Sequence, residues 1–184
     1  MTDSSRTKKL AAVSLSAALW AVINWLISPI FWNITHLPIL CDMLATSLLI
    51  LTLWWTKSLG APSLMGLVAT ALNFVLRPSA FHFLGFTAAC FVFDITAYLI
   101  GYSRILANSV KGGILAIATS TASSAVAGFI IGTLFMNPTF LATSFGGVTF
   151  FAGLHAAGGL IGGILGVTFI RGLESRGIVG VEMT

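Results

Sequence analysis

Asp42, Asp94 and His155 are ionisable residues set inside long apolar stretches. A charge there is costly, and a buried imidazole must find a hydrogen-bond partner, so such groups face protein or a water-filled cavity and are candidates for function. Around them the sequence offers further polar groups near the ends of apolar stretches: Asn24, His36, Asn73, Arg77, His82 and Asn137. Hydrogen bonding to a small ligand, proton or cation relay, and metal binding are the chemistries these residue types allow. Metal binding has the weakest support, because no two of the His and Asp residues sit three or four apart on one helix, the spacing that would bring two ligands to one face. No G-x-x-x-x-G-K-[ST], H-E-x-x-H, G-x-S-x-G or C-x-x-C occurs, so neither a nucleotide site nor a catalytic constellation is present. The expectation is a binding protein and not an enzyme, with no cofactor and no metal.

The elements that must position these groups are membrane spans. Apolar stretches run over 10–32, 37–55, 62–76, 81–101, 112–136 and 146–170. Each is about long enough to cross a core of roughly 30 Å at ~1.5 Å per residue, the third only just. Numbering the gaps sorts the basic residues. Arg6, Lys8 and Lys9 precede the first span, Lys57 lies between the second and third, Arg104 and Lys111 between the fourth and fifth, and Arg171 and Arg176 after the sixth. Arg77 alone falls on the other side. Basic loops stay in the cytoplasm, which predicts an all-α integral membrane protein of six transmembrane helices with both termini cytoplasmic. Residues 1–9 are then a mobile cytoplasmic tail, 10–170 one membrane domain, and 171–184 a short glycine-rich cytoplasmic tail.

Topology assigns depths. Asp42 lies about five residues, roughly 8 Å, into the second span from the outer side. His155, Asn73, His82 and Asn24 belong to the same outer half, and His36 and Asn137 to outer loops. With aromatic walls available from Trp25, Trp32, Phe81, Phe145 and Phe151, they describe an outward-facing pocket. Each has a plainer reading as well. Trp32, Trp54 and Trp55 also fit an interfacial belt, His36 and His82 fit hydrated helix ends, and Arg77 fits a structural bridge to Asp42. Asp94 breaks the pattern, because it is seven residues from the inner end of the fourth span, a place suited to pinning helices together.

The sixth span carries Gly158, Gly159, Gly162, Gly163 and Gly166, two interleaved rows of small residues four apart. Such rows let helix backbones approach closely in lipid. The fifth span has Ser120, Thr121, Ser123 and Ser124 among alanines, and internal packing explains both. The first span has Ala17-x-x-x-Ala21 beside Ser14-x-x-x-Ala18, a stripe free to meet a partner protein.

Composition excludes the soluble classes. The chain is 57% hydrophobic and 8% charged over 184 residues, too little charge to solvate the surface of a soluble domain this size. Its net charge of +4 sits beside helix ends, where it suits anionic membrane lipids, and nucleic acid is not expected. The first apolar stretch is too long for a signal-peptide core. Cys41 and Cys90 both fall inside spans and read as small apolar residues.

The stretch from Lys57-Ser-Leu-Gly-Ala-Pro62 through Leu76-Arg-Pro-Ser-Ala80 to Phe93-Asp-Ile-Thr-Ala-Tyr98 resembles the thiamine and hydroxymethylpyrimidine branch of the S components, the substrate-binding membrane subunits of energy-coupling factor (ECF) vitamin transporters. The likeness includes a Gly-Ala start to the third span, a Pro-Ser link into the fourth, an acidic residue low in the fourth where Asp94 stands, and a polar residue before a glycine-rich run where His155 precedes Gly159. Arginine stands near the His155 position in the relative, and Asp42 has no clean counterpart. The resemblance implies a subunit in a prokaryotic cell membrane that captures a vitamin or vitamin precursor from outside. It would deliver its cargo with a transmembrane coupling protein and two cytoplasmic ATPases. Substrate contacts would be His155, Asp42, Asn73, His82, Trp32, Phe81, His36, Phe151 and Asn137, and Ser14, Ala17, Ala18 and Ala21 would form the docking face.

Two other classes remain open. A self-sufficient transporter or channel would run protons or cations past Asp42, Asp94 and His155, and would show flux by itself. An assembly protein would use its glycine rows to bind another membrane subunit and would take no small ligand.

Overall fold

The computed structural model describes residues 3–180, with side chains from residue 5 onward. The first two residues of the expected N-terminal tail and the last four of the C-terminal one lie outside the described residues. Among the described residues there are nine helices and no strand: α1 Asp3–Leu26, α2 Ser28–Thr35, α3 Ile39–Thr56, α4 Ala61–Leu76, α5 Phe83–Ile100, α6 Tyr102–Ile105, α7 Val110–Leu134, α8 Pro138–Phe145 and α9 Val148–Ser175. Five of them, α1, α3, α5, α7 and α9, are long and apolar enough to cross a membrane. The chain is thus an α-helical, multi-pass membrane protein. The third expected span is α4, an apolar helix of 16 residues, about 24 Å long and short of a full crossing by itself.

Two boundaries differ from the sequence expectation. α1 is helical from Asp3, ahead of the apolar stretch that begins at residue 10. The 10–32 stretch is not one helix. It breaks at Ile27, just before Pro29, whose ring removes a backbone donor and redirects the chain into α2. At the other end α9 continues past Arg171 to Ser175.

The six long helices close into a ring, each packed on the next in the order α1, α4, α5, α7, α9, α3 and back to α1. The glycine rows of α9 explain its two neighbours. A Cβ on Gly162 would fall 2.3 Å from the Met43 carbonyl oxygen of α3, and one on Gly159 would fall 2.7 Å from the Ser120 carbonyl oxygen of α7. Hydrogen at these positions is what lets both helices approach. Ser47 Oγ then donates to the Gly162 carbonyl across the α3–α9 seam at 3.0 Å, so close approach also satisfies polar groups.

The α1 stripe packs inward. Ala17 and Ala21 are 0% and 1% exposed, on a helix pressed between α3 and α4. They hold α1 close to its neighbours and are out of reach of a partner, unlike the expected docking role; Ser14 is exposed and Ala18 half-buried.

The basic end of the ring is tied shut. Trp54 Nε1 donates to Glu174 Oε1 at 2.9 Å, Arg171 pairs with Glu174 at 2.8 Å, and Arg171 also donates to the Ala107 carbonyl, joining α3, α9 and the α6–α7 link. Asp94 works near that end too. Its Oδ2 accepts from the Gly60 and Ser63 amides at 2.9 and 3.2 Å and from Ser63 Oγ at 2.6 Å. Gly60, the N-cap of α4, has no side chain to do this, so a carboxylate from α5 caps the helix instead and meets the positive end of its dipole.

Candidate functional site

The opposite end of the ring is open. There the C-terminal ends of α1, α4 and α7 meet the N-terminal ends of α3, α5 and α9 around a cavity of about 460 Å³. α2 contributes Ser28, Phe31 and Trp32 to its wall. The ring of Trp32 lies 6.1 Å from that of Phe145 in α8, so the two short helices meet at the rim.

Two walls face each other. On the α1 side, Trp20 stacks on Phe86 at 3.9 Å and 11°, with Phe83 edge-on at 5.5 Å. One turn further, Asn24 Oδ1 accepts from the Cys41 thiol at 3.1 Å. On the α3–α9 side, His155 Nδ1 lies 2.7 Å from Asp42 Oδ2. This contact is close but lacks hydrogen-bond alignment, since neither atom is hydrogen-bonded by angle. Phe151 packs edge-on against the imidazole at 4.7 Å. Room for the imidazole comes from Gly128 of α7, where a Cβ would lie 2.7 Å from His155 Cβ.

Buried polar atoms without a hydrogen-bond partner concentrate here. Trp20 Nε1, Asn24 Nδ2, Ser28 Oγ, Asp42 Oδ2 and both nitrogens of His155 are in that state, and all five residues line the cavity. Elsewhere among the described residues only Asp94 Oδ1 and Tyr102 Oη share it. An unsatisfied buried group costs about 1–3 kcal/mol, so a folded chain concentrates them where something else supplies the partner.

Five of the nine residues expected to contact substrate line the cavity: Asp42, His155, His82, Trp32 and Phe151. The other four do not. Asn73 is buried in α4 and donates back to the Ala69 carbonyl at 2.9 Å, a bond within its own helix. Phe81 is exposed and packs on Phe74. His36 terminates α2 in the left-handed conformation, φ 56°, with its amide on the Trp32 carbonyl. Asn137 caps α8, its Oδ1 accepting from the Thr139 and Phe140 amides at 3.0 and 3.1 Å. Asp42 pairs with His155 and not with Arg77, which is half-buried at the cavity wall without a carboxylate partner among the described residues.

Sequence reasoning missed Trp20, Ser28, Cys41, Phe83 and Phe86 as cavity residues, and placed Asn24 in the correct half without assigning it to the site. A signal was there: Trp20 and Asn24 are four residues apart and share one face of α1, and Ser28 continues that spacing across the break into α2. No family model matches the chain, no curated protein matches its sequence, and no solved structure matches its fold.

Proposed function

We propose that this chain is a substrate-binding subunit of an ECF-type importer, taking a vitamin or vitamin precursor into the cavity formed by α1, α3, α5, α7 and α9. The observation that carries the reading is the gathering of unpartnered buried polar atoms around one aromatic-walled cavity at one end of the bundle. That pattern suits capture of a small planar molecule by stacking and hydrogen bonds. In this reading α4 completes six spans, both termini face the cytoplasm, and the cavity opens outside a prokaryotic cell membrane. Eight basic residues at the end away from the cavity support that orientation. Thiamine and its hydroxymethylpyrimidine precursor are the first candidates, on the resemblance of the 57–98 stretch. Ser14 and Ala18, on the open side of α1, are the docking positions left for a coupling protein, which with two ATPases supplies the energy.

The proton- or cation-path reading has less support. Asp94 is engaged by three donors at the N-terminus of α4 and does not line the cavity that holds Asp42 and His155. The test is native mass spectrometry of the purified chain, followed by uptake in proteoliposomes. A retained small molecule, with ATP-driven uptake only when coupling protein and ATPases are present, is the expected result. Flux by the chain alone would replace this reading with a self-sufficient transporter, and absence of any ligand would favour the assembly protein.

A further inference from the structure

Beyond the last turn of α9 the chain folds back onto α3. Gly177, at φ 76°, makes the turn, its amide donating to the Glu174 carbonyl at 3.0 Å, and the Ile178 amide returns to the Leu173 carbonyl at 3.1 Å. Gly180 then lies buried against the end of α3. A Cβ there would fall 2.5 Å from the Trp54 carbonyl oxygen and 3.3 Å from Trp55 Cα. The contact is backbone on backbone, in the turn where a helix has no amides left to serve its carbonyls. Trp54 is also the residue whose Nε1 donates to Glu174. The end of α9 therefore grips one residue of α3 twice, by its indole and by its carbonyl.

The two grips differ in kind. Glu174 and its partner Arg171 are partly exposed side chains that swing with a moving helix. The backbone link has no such slack, because the three residues 178–180 reach at most roughly 11 Å. While Gly180 is seated, the end of α9 stays on the end of α3. Between this grip and the cavity runs the α3–α9 seam, with Asp42 and His155 at its open end. At Gly158, Gly162 and Gly166 no α9 side chain interlocks with α3, so the seam parts without disentangling side chains at those levels. The link itself is lightly held, since Ile178 and Val179 are exposed and Gly180 is its buried point. Segments with so few buried contacts are the first to open. We infer that residues 177–180 are a releasable strap that holds the α3–α9 seam closed at the basic end, and that its release opens the seam from the cavity toward that side. The inference rests on the importer reading, which requires the cavity to empty there.

The experiment measures N-ethylmaleimide alkylation of the full chain in lipid nanodiscs, by intact mass and without ligand. One probe is Ser47→Cys, made with Cys41→Ser and Cys90→Ala, at a buried seam position whose hydroxyl reaches the Gly162 carbonyl. The control probe is native Cys90 in a Cys41→Ser chain, buried at like depth where α5 meets Gly66 of α4. Gly180→Val, and Gly180→Ala as the milder change, force the strap off the Trp54 carbonyl and should speed alkylation of Ser47→Cys by about fivefold or more. Cys90 should keep its rate, and Val179→Ala, an exposed strap position, should change neither. An unchanged Ser47→Cys rate in both Gly180 variants, or an equal rise at Cys90, overturns the strap while leaving the binding reading in place. The ligand that the purified chain retains should dissociate faster in the same variants, and an unchanged dissociation rate beside faster alkylation overturns the exit. A chain that retains no ligand removes the importer reading and the exit with it, and the strap then stands or falls by the alkylation rates.

Discussion

Gly128 is where the fold makes room for the candidate site, so Gly128→Ala is the sharpest test of the geometry. A Cβ there would lie 2.7 Å from both Cβ and Cδ2 of His155 and 2.8 Å from the Ala152 backbone. Ordinary contact begins at 3.4 Å, so α9 must retreat from α7 by ~0.7 Å at this level, and backbone cannot yield as a flexible side-chain tip would. Overpacking of this kind costs about 1–3 kcal/mol. A hydrogen bond from His155 to ligand would lengthen from roughly 2.9 to roughly 3.6 Å, beyond the useful range. Losing its ~0.5–1.5 kcal/mol should weaken binding by roughly two- to twelvefold. The control lies on the same helix pair. A Cβ on Gly113 would meet only Val167 Cγ1 at 3.6 Å, so Gly113→Ala should leave affinity unchanged and stabilise α7 by about 0.5–1 kcal/mol. Calorimetry with the retained ligand and thermal melting in detergent read both quantities. Equal behaviour of the two variants, in either assay, would refute the claim that Gly128 exists to seat His155.

Asp94→Ala should destabilise the chain by about 1–3 kcal/mol through the lost α4 cap, with ligand affinity of the surviving folded fraction unchanged; a fall in affinity at constant melting temperature would place Asp94 at the ligand after all. In a Cys41→Ser, Cys90→Ala background, cysteines at Ser58 and Asn108 should resist impermeant thiol reagents in intact cells while one at Thr139 reacts. Labelling at Ser58 would overturn the inside-ended, six-span orientation. Ala18→Trp, on the open side of α1, should keep ligand affinity and abolish ATP-driven uptake, whereas Ala21→Trp should lose both because it strikes packed helices; the reverse assignment in transport and binding assays would mean α1 docks by its other face.

Periodicity and charge made the helices and the cavity end legible, because span length and loop charge are set by the lipid and need no tertiary information. The glycine rows of the last span likewise announced close packing, and the structure shows their partners to be α3 and α7. Depth grouped Asp42, His155, His82, Trp32 and Phe151, which the structure brings to one cavity, yet depth is only one coordinate. The azimuth of a residue about its helix decides whether it faces the cavity, and Asn73 and Phe81 share the depth while pointing elsewhere. Local backbone demands were the second blind spot. Asn137 and His36 are polar residues near the right end, but one caps a helix and the other terminates one. Ala17 and Ala21 show the same limit, since a small-residue stripe does not say whether its partner is internal.

The ring has an asymmetry that bears on the surrounding lipid. Its shortest long helix, α4 with 16 residues, stands diametrically opposite its longest, α9 with 28. At ~1.5 Å per residue α4 measures about 24 Å and the apolar part of α9, residues 148–170, about 35 Å, one below and one above a hydrocarbon thickness of roughly 30 Å. With α4 as the proposed sixth span, a bilayer would thin on its flank and thicken, or let the helix lean, on the other. Unequal mismatch across a single protein acts as a lever. Thicker membranes strain the α4 flank and thinner ones the α9 flank, so acyl-chain length becomes a handle on how far the whole molecule tilts.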